Sequence, residues 1–222
     1  MPITGVSVAR ILTHVAVHPG ELPDVAAIEL LGGVVRAVAA FHQGDGAPSH
    51  GAVRAQHVAV APDGSILLSG RGVAQELQPL QLNRERLWRE FGLALPAAAS
   101  LPRFDQRADI TQVGVLGVAL LLRRPLAATE YPRPIGDLVL QATSASTPEQ
   151  PGDPRVASAL RMWLQQAIQL NARGNFTAAV DAAQAYAELP LPVGARRAGA
   201  QGIRALVERL SSGTFALSEA VA

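Results

Sequence analysis

Histidine and acidic residues are the side chains of this sequence whose spacing could support chemistry. His14 and His18 stand four positions apart in a stretch with helical apolar spacing, an arrangement that can bring two imidazoles to one metal ion. Only Glu21 and Asp24 stand nearby as further ligands, and Pro19 ends the helical pattern directly after His18. We therefore expect no metal site here.

Two absent residue types exclude several reactions. The 222-residue chain has no cysteine, which excludes disulfides, thiolate-bound metals and a cysteine nucleophile. It has no lysine either, so all 19 of its basic Lys and Arg positions are arginine. A Schiff-base lysine and a phosphate-pairing lysine are therefore missing, and arginine cannot act as a base because it stays protonated.

Composition favours one compact body without nucleic acid or membrane partners. The chain is 49% hydrophobic with a net charge of +1, and its arginines are scattered, which is atypical of nucleic-acid-binding proteins. The N-terminus lacks the pattern of a secretory signal. The longest apolar run, Val113 to Leu122, is too short to span a bilayer and favours a buried core helix. We expect a cytoplasmic protein.

The apolar pattern predicts a mainly α-helical fold with one short β-hairpin. The hairpin surrounds the turn at Asp63 and Gly64, where the aspartate is expected to bond the backbone. A short helix should begin after Asn83 and end at Gly92, and a central apolar helix should begin near Asp109, acting as its cap. The other predicted helices are Ser7–His18, Pro23–Gln43, Ile135–Ala142, Pro154–Asn171, Asn175–Leu189 and Val193–Ser211.

The stretch HGAVRAQHVAVAPDGSILLSGRGVA, which begins at His50, resembles a known family. It is similar to the segment that runs from the catalytic loop to the magnesium-binding loop in bacterial-type serine/threonine protein kinases. In that family an aspartate base is followed five positions later by a metal-binding asparagine, and an Asp-Phe-Gly motif follows the hairpin. The resemblance implies the large C-terminal lobe of a kinase.

The chemically essential positions of that family are replaced here. By the resemblance, the base position is Ala52, the lysine position is Arg54, and the asparagine position is His57. The Asp-Phe-Gly motif becomes Gly70, Arg71 and Gly72. Alanine cannot accept a proton, and glycine offers no carboxylate to a magnesium ion. The resemblance therefore implies a degenerate, pseudokinase-like lobe without ATP or magnesium binding and without a cofactor.

Further positions extend the resemblance towards the C-terminus. Asp109 matches the structural aspartate at the start of the family's buried helix, and His50 matches a structural histidine beneath the magnesium loop. The Ala-Pro-Glu motif ends at Ala97, and the arginine that pairs with its glutamate falls on Asn175, so both members of that ion pair are replaced. The implied lobe covers residues 1–190, and residues 191–222 form an additional C-terminal helix and tail.

The resemblance also indicates where a partner should bind. The small lobe that normally covers a kinase large lobe is missing, so we expect an exposed apolar face and a protein partner or a homodimer. That face should include Val6, Val8, Val58, Ile66 and Leu68. Separately, the short helix that carries Leu87, Trp88 and Phe91 is a candidate contact surface.

We therefore expect a non-catalytic interaction, scaffolding or regulatory module and not an enzyme. One alternative is the large lobe of a split kinase that a separate small-lobe chain completes. Another is a helical adaptor unrelated to kinases, because the segment around Gly174 and Phe176 resembles a single tetratricopeptide repeat. Such an adaptor should lack a hairpin between its second helix and its central apolar helix.

Overall fold

The protein is mainly α-helical and carries one small antiparallel sheet. The computed structural model describes residues 5–44, 49–96, 102–144, 153–171 and 173–219, with side chains described as far as residue 212. The strands are β1 Val6–Ser7, β2 Val58–Val60 and β3 Ile66–Leu68. The helices are α1 Val8–Val17, α2 Asp24–Gln43, α3 Val73–Leu77, α4 Arg84–Phe91, α5 Gln106–Leu122, α6 Ile135–Ser144, α7 Pro154–Ala167, α8 Ala179–Ala187 and α9 Ala195–Glu219.

Side-chain caps explain where several helices begin. Asn83 precedes α4 and accepts from the backbone N–H of Arg86 at 2.9 Å, while Gly92 ends the helix with a φ of +64°, as the sequence predicts. The prediction that Asp109 caps α5 is wrong. Asp105 is the cap, since its side chain accepts from the N–H of Ala108 at 3.1 Å.

The predicted hairpin is present, and a third strand joins it. β2 pairs with β3 in antiparallel register, and Asp63 accepts from the N–H of Ser65 at 2.9 Å in the turn between them. β1 pairs with the other edge of β2, with Val6 opposite Val60. Two residues are too few for an alternating pattern, and the helix predicted from Ser7 therefore includes the second residue of β1.

α2 lies at the centre of the molecule. It packs against α5, α8, α9 and β3, and most of its apolar residues are buried. It is also the one described helix that is long and apolar enough to cross a membrane by length and composition, with a mean hydropathy of 1.6. Of that stretch, 56% is buried within the protein, and the core helix of a soluble protein passes the same test.

The long helix α9 covers the region where an exposed apolar face was expected. It packs along α2 and reaches β1, and its Leu210 carbonyl accepts from Arg10 Nη2 at 2.6 Å. The strand residues Val6 and Val58 are 3% and 0% exposed. Val8 is also buried, and Ile66 and Leu68 are partly buried against the core. The prediction of an exposed face is wrong for Val6, Val8 and Val58.

The remaining predicted boundaries differ from the structure in ways that turn chemistry explains. The segment after Gly72, for which the sequence predicts no helix, contains α3, a helix too short to show a period. The helix predicted from Asn175 begins only at Ala179, after an extended residue at Ala178. α7 ends at Ala167, before Gln169 takes a positive φ of 64°.

The α2–α9 contact can be tested with one methyl group. A Cβ atom at Gly199 of α9 would overlap the backbone carbonyl of Val25 and lie 2.7 Å from Glu29 Cβ. We expect Gly199→Ala to lower the free energy of unfolding by more than about 1 kcal/mol, because the two backbones must move apart. The matched change Gly136→Ala, where nothing lies within 4 Å, should leave stability equal or raise it by up to about 1 kcal/mol.

Urea denaturation of the two variants and the parent chain provides the measurement. Similar effects from Gly136→Ala and Gly199→Ala would contradict close packing of α9 on α2.

Candidate functional site

The buried carboxylate of Asp109 anchors the loop that begins at His50. Its oxygens accept from the backbone N–H groups of His50 at 2.5 Å and Gly51 at 2.6 Å. The Oδ2 atom also lies 2.7 Å from Nε2 of His42, near the end of α2. The Asp109 side chain has no solvent exposure, so these donors replace the water that the charge has lost. α5 is thereby joined to the loop and to α2.

A second α5 side chain holds the same loop. The Oε1 atom of Gln112 accepts from the N–H of Val53 at 2.5 Å, and its Nε2 atom donates to the carbonyl oxygen of Gly51 at 3.3 Å. Since residues 109 and 112 lie one turn apart, both face the loop from one side of α5. These hydrogen bonds fix the backbone on both sides of Ala52.

His50 is a buried residue within this anchored loop. It is 3% exposed, its Nδ1 accepts from the N–H of Ala52 at 3.3 Å, and its ring makes an edge contact with Phe41 at 5.3 Å between centroids. Burial lowers its pKa, although the charge of Asp109 opposes that shift. This position agrees with a structural role for His50 and places no substrate-accessible base there.

His57 and Arg54 are hydrogen-bonded to each other. The Nδ1 atom of His57 donates to the carbonyl oxygen of Ala52 at 3.0 Å, and its Nε2 atom accepts from Arg54 Nη2 at 3.2 Å. Burial lowers the pKa of His57, so the imidazole is favoured in the neutral form that this pattern needs. Arg54 Nη1 also donates to the carbonyl oxygen of Phe91.

The imidazole of His57 covers Gly70 directly. Gly70 has a φ of +81°, and a Cβ atom at this position would lie 2.6 Å from Cε1 and 2.7 Å from Cγ of His57. A longer side chain such as aspartate would therefore meet the ring at once. The two positions that resemble the metal-binding positions of kinases are packed against each other and leave no space for a carboxylate at Gly70.

The next two residues of this turn take separate roles. Arg71 is exposed, and its guanidinium carbon lies 4.7 Å from the ring centre of Phe41, a cation–π distance. Gly72 has a φ of +100° and open space around it. Neither Arg71 nor Gly72 lines the cavity of about 330 Å³ that is described below.

The three candidate contact residues of α4 differ in accessibility. Leu87 is 1% exposed and packs with Leu93 and Leu95, so the prediction that it contacts a partner is wrong. Trp88 is partly buried, stacks at a tilt on Tyr131 with 5.3 Å between centroids, and donates to the carbonyl oxygen of Ala127 at 3.3 Å. Partner contact by Trp88 and Phe91 stays a prediction.

Other sequence-based candidates do not form a site. Ala97 lies outside the described residues. Asn175 donates to the carbonyl oxygen of Asn171 at 2.8 Å and closes a local turn. His14 pairs with Glu21 at 3.0 Å, and within the described ranges no cluster of three His, Cys, Asp or Glu residues could hold a metal ion.

Sequence reasoning missed a cavity of about 330 Å³ beside this loop. Its wall combines α1, residues 53–56, α4 and α5, segments that lie far apart in the sequence. No local pattern could have revealed it, because the residues share only a tertiary location. Arg54 was singled out from the sequence solely as a lysine replacement.

Comparison with known proteins adds no relative. No protein-family model matches this sequence, and no curated protein shows significant similarity to it.

The packing of His57 on Gly70 predicts strong energetic coupling. Gly70→Ala should lower the free energy of unfolding by the strain of a positive φ, about 1–2 kcal/mol, plus the displacement of the ring. In a His57→Ala background there is no ring to displace, so only the cost of the positive φ remains. A double-mutant cycle measured by urea denaturation should therefore give a coupling free energy of about 1–3 kcal/mol between positions 57 and 70.

Gly72→Ala provides the matched control, because its φ is also positive but its surroundings are open. Its effect and that of His57→Ala should add to within about 0.5 kcal/mol. Equal coupling at positions 70 and 72 would show that the imidazole does not occupy the space above Gly70.

Proposed function

We propose that this chain is a non-catalytic, pseudokinase-like interaction module of the cytoplasm. The observation that carries the proposal is the contact between His57 and Gly70, which fills the space that a metal-binding carboxylate would need. Ala52, at the position of the catalytic base, is fully buried and has no proton-accepting side chain. The loop therefore keeps a defined shape but lacks the groups for phosphoryl transfer.

The arrangement around Asp109 supports the kinase-like reading. The residue that resembles the family's structural aspartate binds the backbone of the loop that resembles the catalytic loop. A hairpin lies between α2 and α5, which a helical adaptor unrelated to kinases was expected to lack. The α7–α8 pair packs on α5 and α2 within the common core. The neighbours that a single tetratricopeptide-like helix pair needs for burial are therefore α2 and α5 and not further repeats.

The split-kinase alternative is disfavoured by chemistry. A separate small lobe could supply a lysine and a glycine-rich loop, but it could not restore the carboxylates missing at Ala52 and Gly70. Such a lobe would also have to approach β1 and β2, whose residues Val6 and Val58 are already buried. The partner surface is therefore proposed at α4 and not at the sheet.

Nucleotide binding separates these functions. We expect the melting temperature of the purified chain to be unchanged by ATP with magnesium. Ala52, His57 and Gly70 stand at the positions of the base and the metal ligands, and none of them has a carboxylate that could hold the metal. Thermal denaturation with ATP plus magnesium is compared with ATP plus EDTA. A rise in melting temperature that requires magnesium, or phosphoryl transfer to a generic acceptor protein, would contradict the proposal.

Site-specific photocrosslinking tests the interaction role. Glu90 is exposed on α4 beside Trp88 and Phe91, and Val193 is fully exposed far from α4 in the sequence. A photocrosslinking amino acid at position 90 should give a discrete adduct in cells, whereas the same group at position 193 should not. Equal adducts at both positions, or none at position 90, would exclude α4 as the contact surface.

A further inference from the structure

The cavity beside the anchored loop has the size of a small-molecule site. Its volume is about 330 Å³, and sites for small ligands usually start near 300 Å³. Every residue that lines it belongs to the described part of the chain. Gly70 and Gly72 do not line it, so it is separate from the turn that resembles the magnesium loop.

One side of the cavity is apolar and firmly packed. Leu12 of α1 and three residues of α5, Val115, Leu116 and Ala119, line it and are at most 5% exposed. These side chains belong to the main hydrophobic core or touch its members, so the wall is held in place by the fold. Such a surface favours an apolar ligand body, because burial of apolar surface contributes about 25 cal/mol of binding free energy for each Å² removed from water.

The polar side of the cavity is cationic. Arg54 and Arg89 both line it, and none of its lining residues is aspartate or glutamate. The guanidinium of Arg54 donates to two neutral acceptors, the Phe91 carbonyl oxygen and His57 Nε2. Its Nε atom is buried and has no hydrogen-bond partner among the described residues. Burial lowers the pKa of Arg54, as expected for a cation that has lost water without gaining a counter-charge.

Glu90, the acidic residue next to Arg89, does not neutralise the positive charge on this side of the cavity. Glu90 is bound by Arg86, whose Nε lies 2.9 Å from Oε1 and whose Nη2 lies 3.3 Å from Oε2. Both carboxylate oxygens of Glu90 are thus engaged by another arginine one turn back along α4. Arg89 is exposed at the cavity mouth and free to turn towards a ligand.

The hydrogen-bonding groups of Gln112 and Thr13 already have partners, and Gln56, which also lines the cavity, is exposed and uncharged. The amide of Gln112 is bonded to Val53 and Gly51, and the hydroxyl of Thr13 donates to the Ala9 carbonyl oxygen at 3.0 Å. The arginines therefore supply the recognition. Guanidinium groups bind carboxylate and phosphate oxygens through paired, charge-assisted hydrogen bonds.

We propose that this cavity binds a small amphiphilic anion, namely a single carboxylate or phosphate monoester group attached to an apolar body. The anionic group contacts Arg54 and Arg89 at the mouth, and the apolar body lies against Leu12 and the α5 wall. This inference stands apart from the pseudokinase-like proposal and does not depend on it.

Isothermal titration calorimetry with four ligands of one chain length tests the proposal. Decanoate and decyl phosphate carry the proposed head groups, decanol carries none, and decyltrimethylammonium carries the opposite charge. All are used below their micelle concentrations on the full chain. We expect at least one anion to bind about tenfold or more tightly than decanol, because a hydrogen bond to a charged group contributes about 1.5–3 kcal/mol. Which anion binds more tightly distinguishes a carboxylate from a phosphate ligand.

Three variants locate the site. Arg89→Gln removes an exposed charge and should weaken anion binding about tenfold without affecting decanol, and Arg54→Gln should do the same. Ala128→Trp places a large ring at an exposed lining position and should abolish binding of the whole series. Arg197→Gln, at an exposed arginine that does not line the cavity, should leave every affinity unchanged.

Two results would overturn the proposal. One is equal affinity for the anions, decanol and the cationic amphiphile, or no binding at all. The other is anion binding that survives both Arg89→Gln and Ala128→Trp, because the ligand would then lie elsewhere. The unliganded melting temperature of each variant is measured first, and Arg89→Gln and Ala128→Trp decide the result if Arg54→Gln unfolds.

Discussion

The interaction on which this structure depends is the buried carboxylate of Asp109 with its three nitrogen donors. A charge without solvent contact is costly unless it is fully hydrogen-bonded, and here two backbone N–H groups and the ring of His42 meet that need. Because the donors come from α2 and from the loop after it, one side chain of α5 determines their relative positions. The conformation of Ala52, and through its carbonyl oxygen that of His57, follows from this anchor.

The same anchor acts on the backbone of the loop that resembles a kinase catalytic loop. Asp109 and Gln112 both bind backbone atoms of the loop, so their hydrogen bonds do not require any chemical group on the side chain at position 52. The two positions that resemble the metal-binding positions of kinases, His57 and Gly70, form a packed pair with an imidazole lying over a glycine. Arg54, at the position that resembles the kinase lysine, donates to His57 and to the end of α4 and lines a separate cavity.

Local patterns sufficed for most of the helices and for the hairpin. Asn83, Gly92 and the Asp63 turn act where their chemistry predicts, because caps and turns depend on neighbours only a few residues away. The role of Asp109 was harder to predict in detail. A carboxylate at a helix start suggests a cap, but Asp105 does the capping, and Asp109 binds residues nearly sixty positions away. The burial of Val6 and Val58 and the cavity arise from tertiary packing, which no window of sequence contains.

The packing of α9 on α2 also has a consequence for how the chain folds during synthesis. α2 begins at Asp24 and α9 at Ala195, so this contact joins segments separated by most of the chain. Contacts at such separation form late, since a long loop must close before they contribute. On the ribosome, the stripe of α2 that includes Ala26 remains uncovered until α9 has been translated. The nascent chain therefore carries an uncovered apolar stripe on α2 while the segments between the two helices are synthesised, a state in which exposed apolar surface favours aggregation and engages chaperones.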